Sequence, residues 1–165
     1  MRGAGWAVLL AAVAATPALA GDVVLRGPLQ PLAFMVGDWR SAGDSTGAGA
    51  GGDSAIHPDL GGRILVRRDH VTLRAGGGFD IYMVVYPDGD RADADFIDTE
   101  GHTIHYLVTP GPGPSATFAA PGSASAPGFR LTYSQATADR LHVRFEIAAP
   151  GADYKTYTEG DVVRR

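Results

Sequence analysis

The stretch FRLTYSQATADRLHVRFEI, residues 129–147, decides the fold. Apolar and polar side chains alternate within each of its two halves, and a period of two is typical of strands with one buried face. The tripeptide Thr137-Ala138-Asp139 separates the halves and is short enough for a hairpin. The stretch therefore predicts two antiparallel strands, 129–135 and 141–147.

The same pattern continues through most of the chain after residue 62. Short β-rich runs alternate there with turn signals, whereas residues 41–54 are almost wholly small or polar and are predicted as a loop. An open sheet of this size would leave exposed edges, which closure removes. The sequence predicts an all-β, up-and-down barrel of about 8–10 antiparallel strands, preceded by a short helical turn. The predicted strands are 37–42, 63–71, 79–86, 92–98, 102–109, 116–119, 129–135, 141–147 and 154–164.

The first twenty residues have the composition of a secretory signal peptide. Arg2 precedes an apolar run over residues 6–13, and the small residues Ala18 and Ala20 suit a processing peptidase. We expect cleavage after Ala20, a single domain over residues 21–165, and export to the periplasm or the medium. A lipoprotein anchor is not expected because the chain has no cysteine. The apolar run is too short to span a membrane, and no second such run follows it.

Composition narrows the functional classes further. The full chain has 14 basic and 18 acidic residues, a net charge of −4, and loss of Arg2 with the signal makes it −5. A nucleic-acid partner is therefore not expected, since phosphate binding favours a basic surface. The absence of cysteine also excludes disulfides and thiol catalysis.

The segment 32–39, LAFMVGDW, resembles the opening of nitrobindin-like and other bacterial lipocalin-like domains. Its Gly-x-Trp, with Gly37 and Trp39, is similar to the first-strand motif of the calycin superfamily. The resemblance implies a calycin-like barrel in which Trp39 plugs one end. It also implies that a basic residue of the last strand, Arg164 or Arg165, lies across the indole, a contact worth roughly 0.5–2 kcal/mol.

No cofactor or metal is predicted. Nitrobindin-like domains ligate haem through a histidine near the C-terminal strands, and the resemblance offers only His142, which alternates with core residues and is expected to face solvent. His102 and His105 have a spacing found in metal sites. On one strand, however, residues three apart point to opposite faces and cannot share an ion without a bulge.

Strand alternation also suggests a polar cluster inside the barrel. If Ala92, Ala94 and Phe96 point inward, so does Asp98, and a tight hairpin sets His102 opposite it. The same alternation places Tyr106 inward, and Arg68 and His70 are assigned the inner face of an earlier strand together with Ile64 and Val66. The alternative for Asp98 and His102 is an exposed pair at the hairpin end. The predicted ligand-binding residues are Arg68, His70, Asp98, His102 and Tyr106.

Three functions are consistent with this sequence. The preferred one is an exported binding protein that holds a small, mostly apolar ligand, whose polar or acidic end contacts the cluster. The second is an enzyme that uses Asp98 and His102 as an oriented base on a small carbonyl or ester compound, although no nucleophile motif is present. The third is a packed barrel whose outer face, near Tyr82 and Tyr86, contacts a partner such as a second copy of the chain.

Overall fold

The computed structural model describes residues 24–43, 45–47 and 49–165; the predicted signal peptide lies outside them. The described chain begins with a 3₁₀ helix, Gly27–Met35, and continues in strands joined mostly by short turns. The strands are β1 (Gly37–Ser41), β2 (Thr46–Gly47), β3 (Gly49–Asp59), β4 (Ile64–Leu73), β5 (Gly78–Asp88), β6 (Arg91–Asp98), β7 (Thr103–Pro110), β8 (Ser115–Ala120), β9 (Gly128–Thr137), β10 (Arg140–Ala148) and β11 (Lys155–Arg164).

The sheet is an antiparallel barrel closed by its first and last long strands. From β3 onward each strand pairs with the next in sequence, and β1 pairs with both β3 and β11. The short strand β2 adds to β11 beside this closure. The predicted all-β barrel and the short helix before it are therefore confirmed.

Two strands form within the stretch that the sequence predicts as a loop, the short β2 and the first part of β3. The strand β3 begins at Gly49, inside the stretch 41–54 that lacks apolar residues, and its register with β4 runs from Gly49 opposite Leu73 to Asp59 opposite Ile64. Backbone pairing needs no side chain, so a neighbouring strand with good propensity can order a glycine-rich segment. The loop prediction was wrong for residues 46–47 and 49–54.

The 3₁₀ helix and Trp39 close one end of the barrel. Leu29, Leu32 and Met35 of the helix are fully buried, as is Trp39, whose Nε1 donates a hydrogen bond of 2.9 Å to the Met35 carbonyl oxygen. On the other side of the indole lies the guanidinium of Arg164. The plug implied by the calycin resemblance is thus formed by Trp39 and Arg164.

Alternating burial shows which side chains face the interior. Leu65, Met83, Ala94 and Leu131 are buried on neighbouring strands and define the inner layer. Four aromatic rings continue that layer around the wall with centroids 6.0–6.4 Å apart in edge-to-face contacts, a favourable geometry. In order around the barrel they are Phe96, Tyr106, Phe118 and Tyr133.

Side chains at the end opposite the helix face inward but are only partly buried. This group is apolar and largely aromatic, in contrast to the fully buried residues around Trp39. The interior is therefore sealed at the helix end and accessible at the other, which we call the open end. Its inward-facing residues include Phe79, Ile81, Phe96, Ile104, Ala120, Phe129 and Phe145. Within the described residues, no helix has the length and apolar character needed to cross a membrane.

Candidate functional site

An ion pair lies inside the barrel wall on β4. Arg67 and Asp69 point to the same inner face, and each is more than nine-tenths buried. The Arg67 Nε lies 2.8 Å from Asp69 Oδ2, and Nη2 donates to the same oxygen. From β3, Ser54 donates its hydroxyl to Asp69 Oδ1 at 2.6 Å. Both Asp69 oxygens thereby accept hydrogen bonds.

One nitrogen of the Arg67 guanidinium makes no hydrogen bond in the described residues. Its Nη1 is buried and finds no acceptor in the described part of the chain. Burial works to lower the pKa of Arg67, but the Asp69 carboxylate raises it well above its ordinary value, so the guanidinium stays charged. An unsatisfied buried donor of this kind costs roughly 1–3 kcal/mol. The interior therefore presents an N–H group without a partner.

Two tyrosines of the aromatic layer lie beside this guanidinium. The Arg67 Cζ is 5.6 Å from the ring centroid of Tyr133. The positive charge of Arg67 also acts on Tyr106. Burial raises the pKa of Tyr106 to about 12, although Arg67 opposes the shift, and burial likewise raises the pKa of Tyr133. Both hydroxyls remain protonated at neutral pH. Within residues 24–43, 45–47 and 49–165, no hydrogen bond engages either hydroxyl.

The prediction that Arg68 and His70 point inward was wrong. Both lie on the outer face of β4: Arg68 stacks over the Tyr82 ring at 5.3 Å, and His70 Nδ1 contacts Asp80 Oδ1 at 2.7 Å. The apolar run 64–66 could not distinguish the two faces, since Leu65 and Val66 are both buried. Of the predicted cluster, only Tyr106 lies beside the interior ion pair.

Asp98 and His102 meet, but at the exposed end of a hairpin. Asp98 Oδ2 is 2.9 Å from His102 Nδ1, while Oδ1 accepts the backbone N–H groups of Glu100 and His102 at 3.0 and 2.9 Å. The His102 side chain is 64% exposed and that of Asp98 only 4%. This geometry matches the alternative of an exposed pair that fixes the turn, rather than a base inside the lumen.

The charges at this hairpin also follow from its hydrogen bonds. Burial works to raise the pKa of Asp98, but the hydrogen bonds from His102 and Glu100 lower it overall. The hydrogen bond to Asp98 raises the pKa of His102. Glu100 lies near enough for all three side chains to approach one ion. Because both Asp98 oxygens already accept hydrogen bonds, the arrangement is explained as a turn.

The remaining four histidines are paired with aspartates in the same way. Each lies on or beside a strand and contacts a carboxylate from a neighbouring strand. These surface pairs hold adjacent strands together and contribute little individually. They are His57 with Asp38, His70 with Asp80, His105 with Asp95, and His142 with Asp161, at 2.7–2.9 Å.

The outer face carries a groove of about 570 Å³ across β1 and β3–β6. Arg68, His70, Tyr82 and Ile97 line it, and all four are exposed. Two ion pairs form among its lining residues, Arg165 with Asp53 and His70 with Asp80. The interior differs, because there a buried donor has no partner. The interior set, which we call the lumenal polar site, consists of Ser54, Arg67, Asp69, Tyr106 and Tyr133.

Arg67 and Asp69 were missed at the sequence level because charged residues were assigned to the interior on the wrong alternation. A usable signal was present: opposite charges two residues apart on one strand share a face and can neutralise each other. Such a pair can be buried at lower cost than either charge alone.

Comparisons with known proteins find structural likeness but no match in sequence. No protein-family model matches this chain, and no curated protein matches it in sequence. One solved structure of similar form is described as EF1p2_mFAP2b bound to DFHBI. The two chains are 10% identical, the alignment covers 84% of this chain and 97% of that one, and the TM-score is 0.42. At that TM-score the likeness carries no weight for function.

Proposed function

We propose that this protein binds a small, mostly apolar molecule in the lumen of its barrel, entering through the open end. The observation that carries the proposal is the incomplete burial of inward-facing apolar side chains at that end, among them Phe79, Ile81 and Phe129. Apolar side chains that face a lumen and still contact water are stabilised when a ligand covers them, by roughly 25 cal/mol per Å². Binding sites for small molecules are typically concave and apolar with a few polar groups.

The lumenal polar site supplies those few polar groups. It lies on the inner face of the barrel. In this proposal Arg67 has the ligand-binding role that the sequence analysis gave to Arg68. A ligand can use both the apolar residues and the lumenal polar site. Its apolar part would lie against the aromatic residues, and its one polar end would point toward Arg67. We also propose that the protein works after export, as the composition of residues 1–20 suggests. N-terminal sequencing of the protein recovered from a periplasmic extract tests this location.

Filling the lumen tests the binding proposal directly. Ala120 on β8 faces inward beside the core, whereas the neighbouring Ala119 has the opposite orientation. We expect Nile red, a neutral apolar dye, to bind the wild-type protein with increased fluorescence. Ala120→Phe should abolish that binding, and Ala119→Phe should preserve it.

Two results would overturn the proposal. The first is a folded wild-type protein that binds no dye, which would favour the packed barrel. The second is dye binding that Ala120→Phe and Ala119→Phe affect equally, because the dye would then sit on the outer surface. Circular dichroism of each variant confirms that the barrel is intact before binding is compared.

A further inference from the structure

We infer that the polar end of the lumenal ligand is an uncharged hydrogen-bond acceptor, the carbonyl oxygen of an ester, amide or ketone, bound by Arg67. The inference rests on the proposed function, since it names the chemistry of that same lumen. It is carried by a different observation, the hydrogen-bonding state of one buried ion pair.

The hydrogen bonds of Arg67 leave its Nη1 without an acceptor within the part of the chain that the structure describes. A guanidinium has five N–H donors and no acceptor. Nε and Nη2 are both used by Asp69 Oδ2, and Nη1 has no acceptor in the described residues. Asp69 lies on the Nε and Nη2 edge of the guanidinium, and Ser54 holds its Oδ1 at 2.6 Å, so the carboxylate does not bond Nη1. The acceptor that Nη1 lacks must therefore come from outside this cluster.

The charge of the cluster decides which acceptor fits. Arg67 and Asp69 neutralise each other, and the cross-strand neighbours of Arg67 are the apolar Ile56 and Met83. A carboxylate bound at Nη1 would add a net negative charge to a buried site, where the desolvation of a charge is costly. A carbonyl oxygen accepts the same hydrogen bond and leaves the site neutral. The pair thus favours a neutral ligand although an arginine is present.

The tyrosines complete the acceptor's surroundings. A carbonyl oxygen has two lone pairs, and the protonated hydroxyl of Tyr133 or Tyr106 can donate to the second one. Tyr133 is the nearer candidate, because its ring contacts the guanidinium. Nη1 is itself covered in the unliganded barrel, so the ligand must displace side chains above it.

Three probes of similar length test this inference on the wild-type protein: methyl octanoate, octanoate at about pH 8, and nonane. Equilibrium dialysis gives the bound fraction of each. We expect methyl octanoate to bind about tenfold to a hundredfold more tightly than nonane, the ratio that one hydrogen bond to a charged donor supplies. It should also bind more tightly than octanoate. Tighter binding of octanoate, or equal binding of the ester and the hydrocarbon, would overturn the inference while leaving lumenal binding intact. Failure of all three to bind would instead contradict the proposed function.

A pair of variants assigns the preference to Arg67. Removing Arg67 alone would leave Asp69 buried and unpaired, so the double variant Arg67→Met with Asp69→Leu keeps the interior neutral. It should bind methyl octanoate and nonane equally well. The control Arg68→Met changes the adjacent arginine on the outer face and should keep the wild-type preference. A preference for the ester that survives in the double variant would exclude Arg67 as its source. If the double variant does not fold, Tyr133→Phe provides the second test and should reduce the ester preference severalfold.

Discussion

The guanidinium of Arg164 lies 4.3 Å from the ring centroid of Trp39, although the two residues are 125 positions apart in the sequence. They face each other in the register of β1 and β11, and Arg164 also donates to the Val36 carbonyl oxygen at 3.1 Å. The contact joins the first long strand to the last and covers the plug of the barrel.

Trp39→Ala should therefore cost roughly 3–5 kcal/mol of unfolding free energy, the range for a buried large aromatic. The indole is fully buried, and its Nε1 hydrogen bond to Met35 is lost as well. Urea denaturation measures the change. A loss below about 1 kcal/mol, typical of surface positions, would contradict the plug. Arg165→Ala is the control, since Arg165 lies on the exposed side of the closure and should matter little.

The pair of Asp98 and His102 should make stability depend on pH in a defined direction. The raised pKa of His102 means that the folded chain favours the protonated ring. That contribution is fully present below the pKa of an unperturbed histidine, 6.5, and disappears as the pH rises through the folded value. The lowered pKa of Asp98 means that its own contribution disappears only in acid, as the pH falls through that value.

We expect the wild-type protein to exceed His102→Gln in unfolding free energy by more at about pH 5.5 than at about pH 9. Chemical denaturation at the two values measures the difference. An equal difference at both would show that the hairpin gains nothing from the charge of His102.

The bidentate pair of Arg130 and Glu146 should stabilise β9 against β10. Arg130 Nε and Nη2 lie 2.6 and 2.9 Å from the two Glu146 oxygens, and the hydrogen bond from Arg130 lowers the pKa of Glu146. Because Arg130 is partly exposed, we expect Glu146→Gln to cost about 1 kcal/mol, toward the low end for a charged hydrogen bond. Glu159→Gln should cost less, since the Glu159 carboxylate contacts His142 only at 3.8 Å. Thermal unfolding of both variants provides the comparison, and a larger loss for Glu159→Gln would refute the ranking.

Two adjacent glycines of β3 should differ sharply in their tolerance of a methyl group. Gly52 has a φ of +147°, and an added Cβ would lie 2.1 Å from the His70 carbonyl oxygen. At Gly51 the nearest atom to an added Cβ is the Ser41 Cβ at 3.6 Å, an ordinary contact. Gly52→Ala should cost roughly 2 kcal/mol or more, from strain and displacement of β4, and Gly51→Ala much less. Equal denaturation midpoints would show that β3 is not held in this register.

Strict alternation made the C-terminal hairpin predictable. The strands predicted over 129–135 and 141–147 lie within β9 and β10, because their apolar residues occupy only one face. The turn between them was also predicted from composition. The resemblance carried by Gly37 and Trp39 implied a basic residue across the indole, and Arg164 lies over the Trp39 ring.

Alternation did not predict strand orientation where both faces of a strand are apolar, and it did not predict a strand where the residues are mostly glycine. On β4, Leu65 and Val66 are both buried, so the orientation of Arg67 and Arg68 could not be read from the run that precedes them. The strand β3 was missed because its ordering comes from backbone pairing with β4. The spacing of Arg67 and Asp69 allows them to pair on one face, but it does not say which face of β4 is buried.

Closure of the barrel by β1 and β11 has a kinetic consequence. The two strands that complete the ring are separated by nearly the whole described chain, so their pairing carries the largest loop-closure cost in the fold. Before β11 pairs, β1 and β3 to β10 can form a curved sheet whose free edges are β1 and β10. Only the pairing of residues 155–164 with both β1 and β10 removes the two edges, so a folding intermediate that lacks this strand is the form most exposed to aggregation.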